Sequence, residues 1–154
     1  FNQIINLKQL NMKFIELFDS RDKKKRLSHI RNLVALACAD GSLDKNEMDL
    51  IFKIGVRAGL SPDELNRIFQ RPDSIAFYPP DSYRERIEQL YDMVMVMMVD
   101  GEFHKNEIAL CKLTAIKLGF RHQVIDKIVH DTVEMIADGI ATEIALARLM
   151  ELID

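Results

Sequence analysis

The chain has 154 residues, 48% hydrophobic and 29% charged, which is typical of a single globular domain with its own core. Its formal net charge is −3, so no overall positive field favours nucleic acid or an anionic membrane as a partner. The most apolar stretch, residues 93–99, is too short to span a bilayer, so we expect no transmembrane segment.

The two cysteines and the first residues of the chain indicate which cellular compartment to expect. Cys38 and Cys111 lie inside apolar helical runs, which predicts buried thiols in a reducing compartment, and we expect a cytoplasmic protein. The opening residues lack the pattern of a secretory signal peptide. Because the chain begins at Phe1, we expect a fragment or a trimmed start, with Met12 as an alternative start.

Helical periodicity begins near the N-terminus. Apolar residues at three- and four-residue spacing predict a first helix over about residues 4–18. A charged hinge, SRDKKKR (residues 20–26), is expected next, and the second helix should run from about 22 to 39. Gly41 follows it in the position of a left-handed C-cap.

The next two helices begin with recognisable N-terminal capping patterns. Asp44 and Glu47 have the spacing of a capping box, which predicts a helix from about residue 44 to Gly59. Ser61 and Glu64 repeat this spacing around a first-turn proline and predict a short helix that ends near residue 70. A loop over about 71–80 then separates the two halves of the chain.

The second half is also helical in pattern. Ser82 and Glu85 predict the start of a helix that ends near Val99. Three more helices are expected: one over about 105–118, one marked by an apolar stripe from Val124 to Ile136 that Gly139 breaks, and a last one over about 140–153. Strand-type alternation is absent from the sequence, so the predicted fold class is all-α with about eight helices in one domain, residues 1–154.

The chain also contains an internal repeat with an offset of 60 residues. DGSLDKNE at 40–47 aligns with DGEFHKNE at 100–107, and the match extends to pairs such as Gly59 and Gly119. This predicts two three-helix units, about 22–70 and 82–130, which pack together because neither buries its apolar face alone. The apolar runs 33–39 and 93–99 should form the central buried pair.

The two Asp-Gly loops resemble one half of a calcium-binding EF-hand loop. The acidic residue, the glycine, the apolar residue and the final glutamate all fit. The first and third positions of such a loop would fall on Leu36 and Cys38, or on Val96 and Met98, which offer no oxygen ligands. A true EF-hand is therefore excluded.

Two interpretations of these loops remain open. Each loop is either a capped turn between helices, or part of a weaker site for Mg²⁺, Ca²⁺ or Mn²⁺ built from a few carboxylates and water. An aspartate at a helix C-terminus interacts unfavourably with the helix dipole unless a nearby cation or basic group compensates its charge. The candidate metal ligands are Asp40, Asp44, Glu47, Asp100, His104 and Glu107.

At these loops the chain resembles a known family. ACADGSLDKNE, followed by an apolar helix and AGLSPDEL, is similar to the TerB-like helical domains of tellurite-resistance proteins. It also resembles the N-terminal part of DjlA-type cochaperones. The resemblance covers about residues 22–150 and implies an all-helical domain with two related halves, acidic residues suspected of cation binding, and a role in stress response. The second loop departs from the pattern at His104, because the corresponding residue of the first loop is Asp44.

Other features favour structural roles. The methionines between residues 93 and 98 predict a buried core helix, and the basic run 23–26 predicts a solvated helix face. No catalytic motif is found, so we expect no enzyme and no organic cofactor. His29, His122 and His130 lack metal-type partners at helical spacing.

The sequence therefore predicts a non-enzymatic helical module that binds a divalent cation at its Asp-Gly loops and contacts a protein partner, and the resemblance implies that this module is associated with stress. The alternatives are a purely structural interaction domain without metal and, more remotely, a hydrolase with an acidic site. Whether the two loops meet depends on how the central helices cross, which the pattern does not determine.

Overall fold

The computed structural model describes the backbone of residues 2–153 and the side chains of residues 20–153. Within this part of the chain there are seven α-helices and no strand, so the all-α prediction is confirmed. A short 3₁₀ turn, Pro72–Ser74, lies in the loop between the two halves. The helices are α1 Asn2–Ala37, α2 Lys45–Arg57, α3 Pro62–Gln70, α4 Tyr83–Met98, α5 Lys105–Lys117, α6 His122–Ala137 and α7 Thr142–Glu151.

The predicted charged hinge is wrong, because residues 20–26 are helical and join the first two predicted helices into α1. This reduces the count from eight helices to seven. The segment has neither glycine nor proline, and lysine and arginine favour helix. Its charges also find tertiary partners: Lys25 Nζ lies 2.9 Å from an oxygen of Asp81, and Arg26 donates to the carbonyl of Ala58 at 2.9 Å.

The core is built around α1 and α4, which pack against each other. Residues 33, 34, 36 and 37 of α1 and residues 93, 94, 96 and 97 of α4 are buried, as the sequence predicts. Cys38 and Val99 are exposed, because each follows the last residue of its helix. The prediction of two buried thiols is therefore correct only for Cys111.

The helix ends follow the predicted turn chemistry. Gly41 and Gly101 adopt φ values of 92° and 78°, the left-handed conformation that reverses the chain after α1 and α4. Asp44 and Ser61 each form a full capping box at the start of α2 and α3. The chain therefore turns sharply at both Asp-Gly pairs.

The 60-residue repeat stays a prediction. The helices α2 and α5 each have 13 residues, whereas α1 has 36 residues and α4 has 16. Across the helices described, none is both long and apolar enough to cross a membrane.

Candidate metal centre

The two Asp-Gly loops lie next to each other at one end of the bundle. Asp40 follows α1, Asp100 follows α4, and His104 of the second loop lies close to both carboxylates. Its Nε2 atom is 3.7 Å from Oδ2 of Asp40 and 3.6 Å from Oδ2 of Asp100. The loops therefore contribute to one shared cluster.

The two aspartates are held in the same way. The backbone N–H of Ser42 donates to Oδ1 of Asp40 at 3.0 Å, and the N–H of Glu102 donates to Oδ1 of Asp100 at 3.0 Å. These bonds fix each carboxylate over its own turn. The second oxygen of each aspartate is the one that faces His104.

Two buried glutamates also belong to the cluster. Glu47 and Glu107 lie in the first turns of α2 and α5 and are only 2% and 1% exposed. Glu47 accepts a hydrogen bond from the N–H of Asp44 at 3.2 Å. Neither carboxylate oxygen of Glu107 has a partner among residues 20–153. An unpartnered buried carboxylate is costly unless it is protonated or bound to a cation.

The electrostatics reflect this crowding of negative charge. Burial, followed by the nearby charge of Glu47, raises the pKa of Glu107 from 4.5 to about 7. Burial also raises the pKa of Glu47, and Asp100 and Asp40 add to the effect. The two buried acids therefore repel each other when both are ionised.

His104 provides the only basic side chain found within this cluster of described residues. Its partial burial opposes the charged form, but the charges of Glu107, Asp40 and Asp100 outweigh this effect and raise its pKa. A protonated His104 would partly neutralise the carboxylates. A neutral His104 would present a nitrogen lone pair to the same centre.

The side chain of Asp44 has a different role from those of the other predicted ligands. Its side chain accepts a hydrogen bond from the N–H of Asn46 at 3.0 Å and caps α2. His104 holds the corresponding position before α5, where it makes no side-chain cap bond with the described residues. Of the six predicted ligands, five lie in one cluster, whereas the side chain of Asp44 serves the helix end. The five are Asp40, Glu47, Asp100, His104 and Glu107.

The geometry of three of these residues is suitable for a metal ion. One ligand atom from each of Asp40, His104 and Glu107 lies within 4.8 Å of the other two. Donor atoms about 2.0–2.2 Å from a common ion are separated by roughly 3–4 Å. Small rotations of side chains would bring the three onto one ion.

A second group of metal-type side chains was missed in the sequence. His130, Asp131 and Glu134 share one face of α6, and the spacing of four residues between the histidine and the glutamate could have indicated it. Asp131 already pairs with Lys127 at 2.8 Å. His130 and Glu134 are exposed, so this group is an ordinary solvated helix face.

His29 is likewise not a free ligand. It is buried between α1 and α4, where its Nε2 atom lies 2.8 Å from a carboxylate oxygen of Asp92. This pair borders an open cleft of about 590 Å³. Several charged side chains of the lining already have ion-pair partners, for example Lys25 with Asp22 at 3.9 Å and Glu143 with Arg84 at 2.9 Å.

The comparisons with known proteins give one match. The family model described as tellurite resistance protein TerB matches residues 4–70. No curated protein and no solved structure shows significant similarity to the chain.

Residues 4–70 are similar to the TerB family.

The TerB-like segment contains α2, α3 and most of α1, and it confirms the resemblance found at the first Asp-Gly loop. It supplies Asp40 and Glu47 to the cluster. The other three residues, Asp100, His104 and Glu107, come from beyond the matched segment. The candidate metal centre is therefore formed where the TerB-like segment meets the second half of the chain.

Proposed function

We propose that the chain is a non-enzymatic TerB-like module that binds one divalent cation between its two Asp-Gly loops. The ligands are Asp40, Glu47, Asp100, His104 and Glu107. The observation that carries the proposal is Glu107, which is 1% exposed, has no hydrogen-bond partner in the described part of the chain, and lies beside other carboxylates.

The balance of charge supports a cation. Four carboxylates converge on this end of the bundle, and Asp40 and Asp100 also lie at the C-terminal ends of α1 and α4, where the helix dipoles are negative. Protonation of Glu107 and His104 would relieve only part of the repulsion. A divalent ion would neutralise two charges at once and bind the free oxygens of Glu107.

Metal-free structural interaction remains the alternative. In that case Glu107 is simply protonated in the folded chain, and the two loops act as capped turns. The two interpretations differ in one measurable property, since only a cation site makes the stability of the chain depend on the concentration of an ion.

The test is thermal melting in chelator and in millimolar Mg²⁺, Ca²⁺, Mn²⁺ or Zn²⁺. An ion present at about 100 times its Kd should stabilise the fold by about 2.7 kcal/mol, which corresponds to roughly 5–10 °C in Tm. The double variant Asp40→Asn, Asp100→Asn should lose this shift. The matched control, Asp49→Asn with Asp73→Asn, changes two exposed aspartates away from the cluster and should retain it.

If no ion raises Tm, or if the loop variant responds like the control, the cation proposal is wrong and the metal-free alternative stands. Measuring the variants in chelator as well separates a lost ion response from a general loss of stability.

In this proposal the bound ion also orders a surface for a protein partner in a cytoplasmic stress response. Phe103 in the second loop is 46% exposed, and Val99, just before that loop, is 37% exposed. Met48, which follows Glu47 in α2, is also exposed. Fixing the two loops around an ion would hold these apolar side chains in one arrangement, which lowers the entropic cost of contact.

A further inference from the structure

His104 distinguishes the second loop from the first, and this inference rests on the proposed cation site. We propose that His104 is a direct nitrogen ligand that makes the centre selective for zinc or a similar late first-row divalent ion, in preference to Mg²⁺ and Ca²⁺. The loops alone, without His104, would form an all-oxygen site.

The placement of His104 follows from the difference between the two helix starts. Asp44 turns its side chain toward the N–H groups of α2 and forms a capping box. His104 makes no such bond to the described part of α5, and its Nε2 atom instead points between Asp40 and Asp100. The imidazole is therefore directed to the centre rather than to the helix.

The contacts of Nε2 exceed hydrogen-bond length but suit shared coordination. Distances of 3.7 Å to Asp40 and 3.6 Å to Asp100 are longer than the 2.7–3.2 Å of ordinary N–H···O bonds. Ligand atoms around a tetrahedral zinc ion, with bonds of about 2.0–2.1 Å, lie about 3.4 Å apart. The two distances from Nε2 would therefore need to shorten only slightly for His104 and the aspartates to bind one ion.

The oxygen supply is poor for a calcium ion. Calcium takes six to eight oxygens, often with two from one carboxylate. Here Oδ1 of Asp40, Oδ1 of Asp100 and one oxygen of Glu47 already accept backbone N–H groups. Bidentate binding by these three residues would break those bonds, whereas zinc needs only single atoms from three or four ligands.

Magnesium is disfavoured for a different reason. It prefers oxygen ligands in octahedral geometry and retains several waters, whereas imidazole suits zinc, copper, iron and nickel. Glu107 supplies the remaining strong ligand, since both its oxygens are free within the described chain and one lies within 4.8 Å of both partner atoms. Asp40, His104 and Glu107 form the minimal set.

The experiment measures Zn²⁺ and Mg²⁺ affinity by titration calorimetry with tag-free protein. His104→Gln keeps a neutral side chain of similar reach and removes the imidazole. We expect it to reduce the ratio of Zn²⁺ to Mg²⁺ affinity at least about tenfold, because even residues that only support a ligand alter metal affinity 10–100-fold. His130→Gln, which removes the exposed histidine of α6, is the matched control and should leave the ratio unchanged.

Imidazole NMR gives a readout that a purely structural role of His104 would not affect. Addition of Zn²⁺ should shift the Nε2 resonance of His104 to that of a metal-bound nitrogen, and the other three histidines should not move. His104→Asp, which restores the residue type of the first loop, provides a second variant; its side chain should cap α5 as Asp44 caps α2, and it should lose the preference for Zn²⁺ over Mg²⁺ as His104→Gln does.

The outcomes separate the two proposals. Ion binding with an unshifted His104 resonance, or with an unchanged affinity ratio in His104→Gln, would overturn the nitrogen ligand but leave the cation site. Failure of every ion to bind the unmodified chain would overturn both.

Discussion

At the scale of single residues, Glu107 combines deep burial with a free carboxylate. Its pKa is raised by burial and by Glu47 from 4.5 to about 7. The folded chain therefore holds this proton more tightly than the unfolded chain. The resulting stability is complete below pH 4.5 and is lost as the pH rises through 7, so above pH 7 the ionised group destabilises the ion-free fold.

Glu107→Gln keeps the shape of the side chain and removes its charge. In chelator at pH 8, we expect this variant to melt roughly 3–10 °C above the original chain, equivalent to about 1–3 kcal/mol. The two melting temperatures should converge toward pH 4.5, where both side chains are neutral. Melting curves across this pH range provide the test.

The control for this prediction is Glu151→Gln, which removes an exposed carboxylate at the end of α7 and should change Tm little. A lower melting temperature for Glu107→Gln than for the original chain at pH 8 would show that its ionised form is already stabilised by protein groups.

At the scale of elements, α2 and α5 begin with different chemistry. Asp44 closes a capping box at the start of α2, whereas His104 makes no cap bond to the described residues of α5. The first loop thus uses this position to stabilise a helix. The second loop leaves a helix end less well capped and directs the side chain to the cluster.

Asp44→Ala should therefore destabilise the chain by about 1 kcal/mol, the usual cost of a lost cap. It should preserve the shift in Tm caused by an ion, because Asp44 lies outside the five-residue cluster. Denaturant unfolding with and without ion measures both quantities. Asp49→Ala, on the exposed side of α2, is the control; loss of the ion response in Asp44→Ala alone would place Asp44 among the ligands.

Most helices could be predicted from local pattern, because capping boxes and glycine turns are short-range signals. Residues 20–26 could not, since a run of charges has the same composition in a solvated hinge and in a helix whose charges have distant partners. Lys25 forms an ion pair with Asp81, and Arg26 donates a hydrogen bond to the carbonyl of Ala58. Both contacts join residues distant in sequence and therefore depend on the tertiary fold.

The candidate site was predictable in its residue types but not in its assembly. The repeated Asp-Gly pattern identified the candidate ligands, and in the structure five of these six residues lie in one cluster. Burial of Glu47 and Glu107 could not be read from sequence, because glutamate in a first helical turn is equally common on the surface. Their burial results from packing between the two halves.

At the scale of the whole molecule, the TerB match ends at residue 70, but the core does not. The buried side of α1 packs on α4, and buried side chains such as Leu33, Val34, Met93 and Val94 belong to one apolar cluster. Without α4, the part of α1 that packs on it would face water.

A fragment of residues 1–80 should therefore lack a cooperative unfolding transition. Circular dichroism during heating, compared with the full chain at the same concentration, provides the measurement. A sharp transition in the fragment close to that of the full chain would show that the TerB-like segment is a domain by itself.

The shared cluster has a further consequence for the topology of the chain. Asp40 and Glu107 are more than sixty residues apart in sequence, yet a single ion would bind both. Such an ion would act as a reversible crosslink in the folded chain, between two segments whose approach closes a long loop and is therefore entropically costly. If a protease cut the connection after α3, the first fragment would retain two of the five ligands and the second would retain three, so that the ion would link the two fragments.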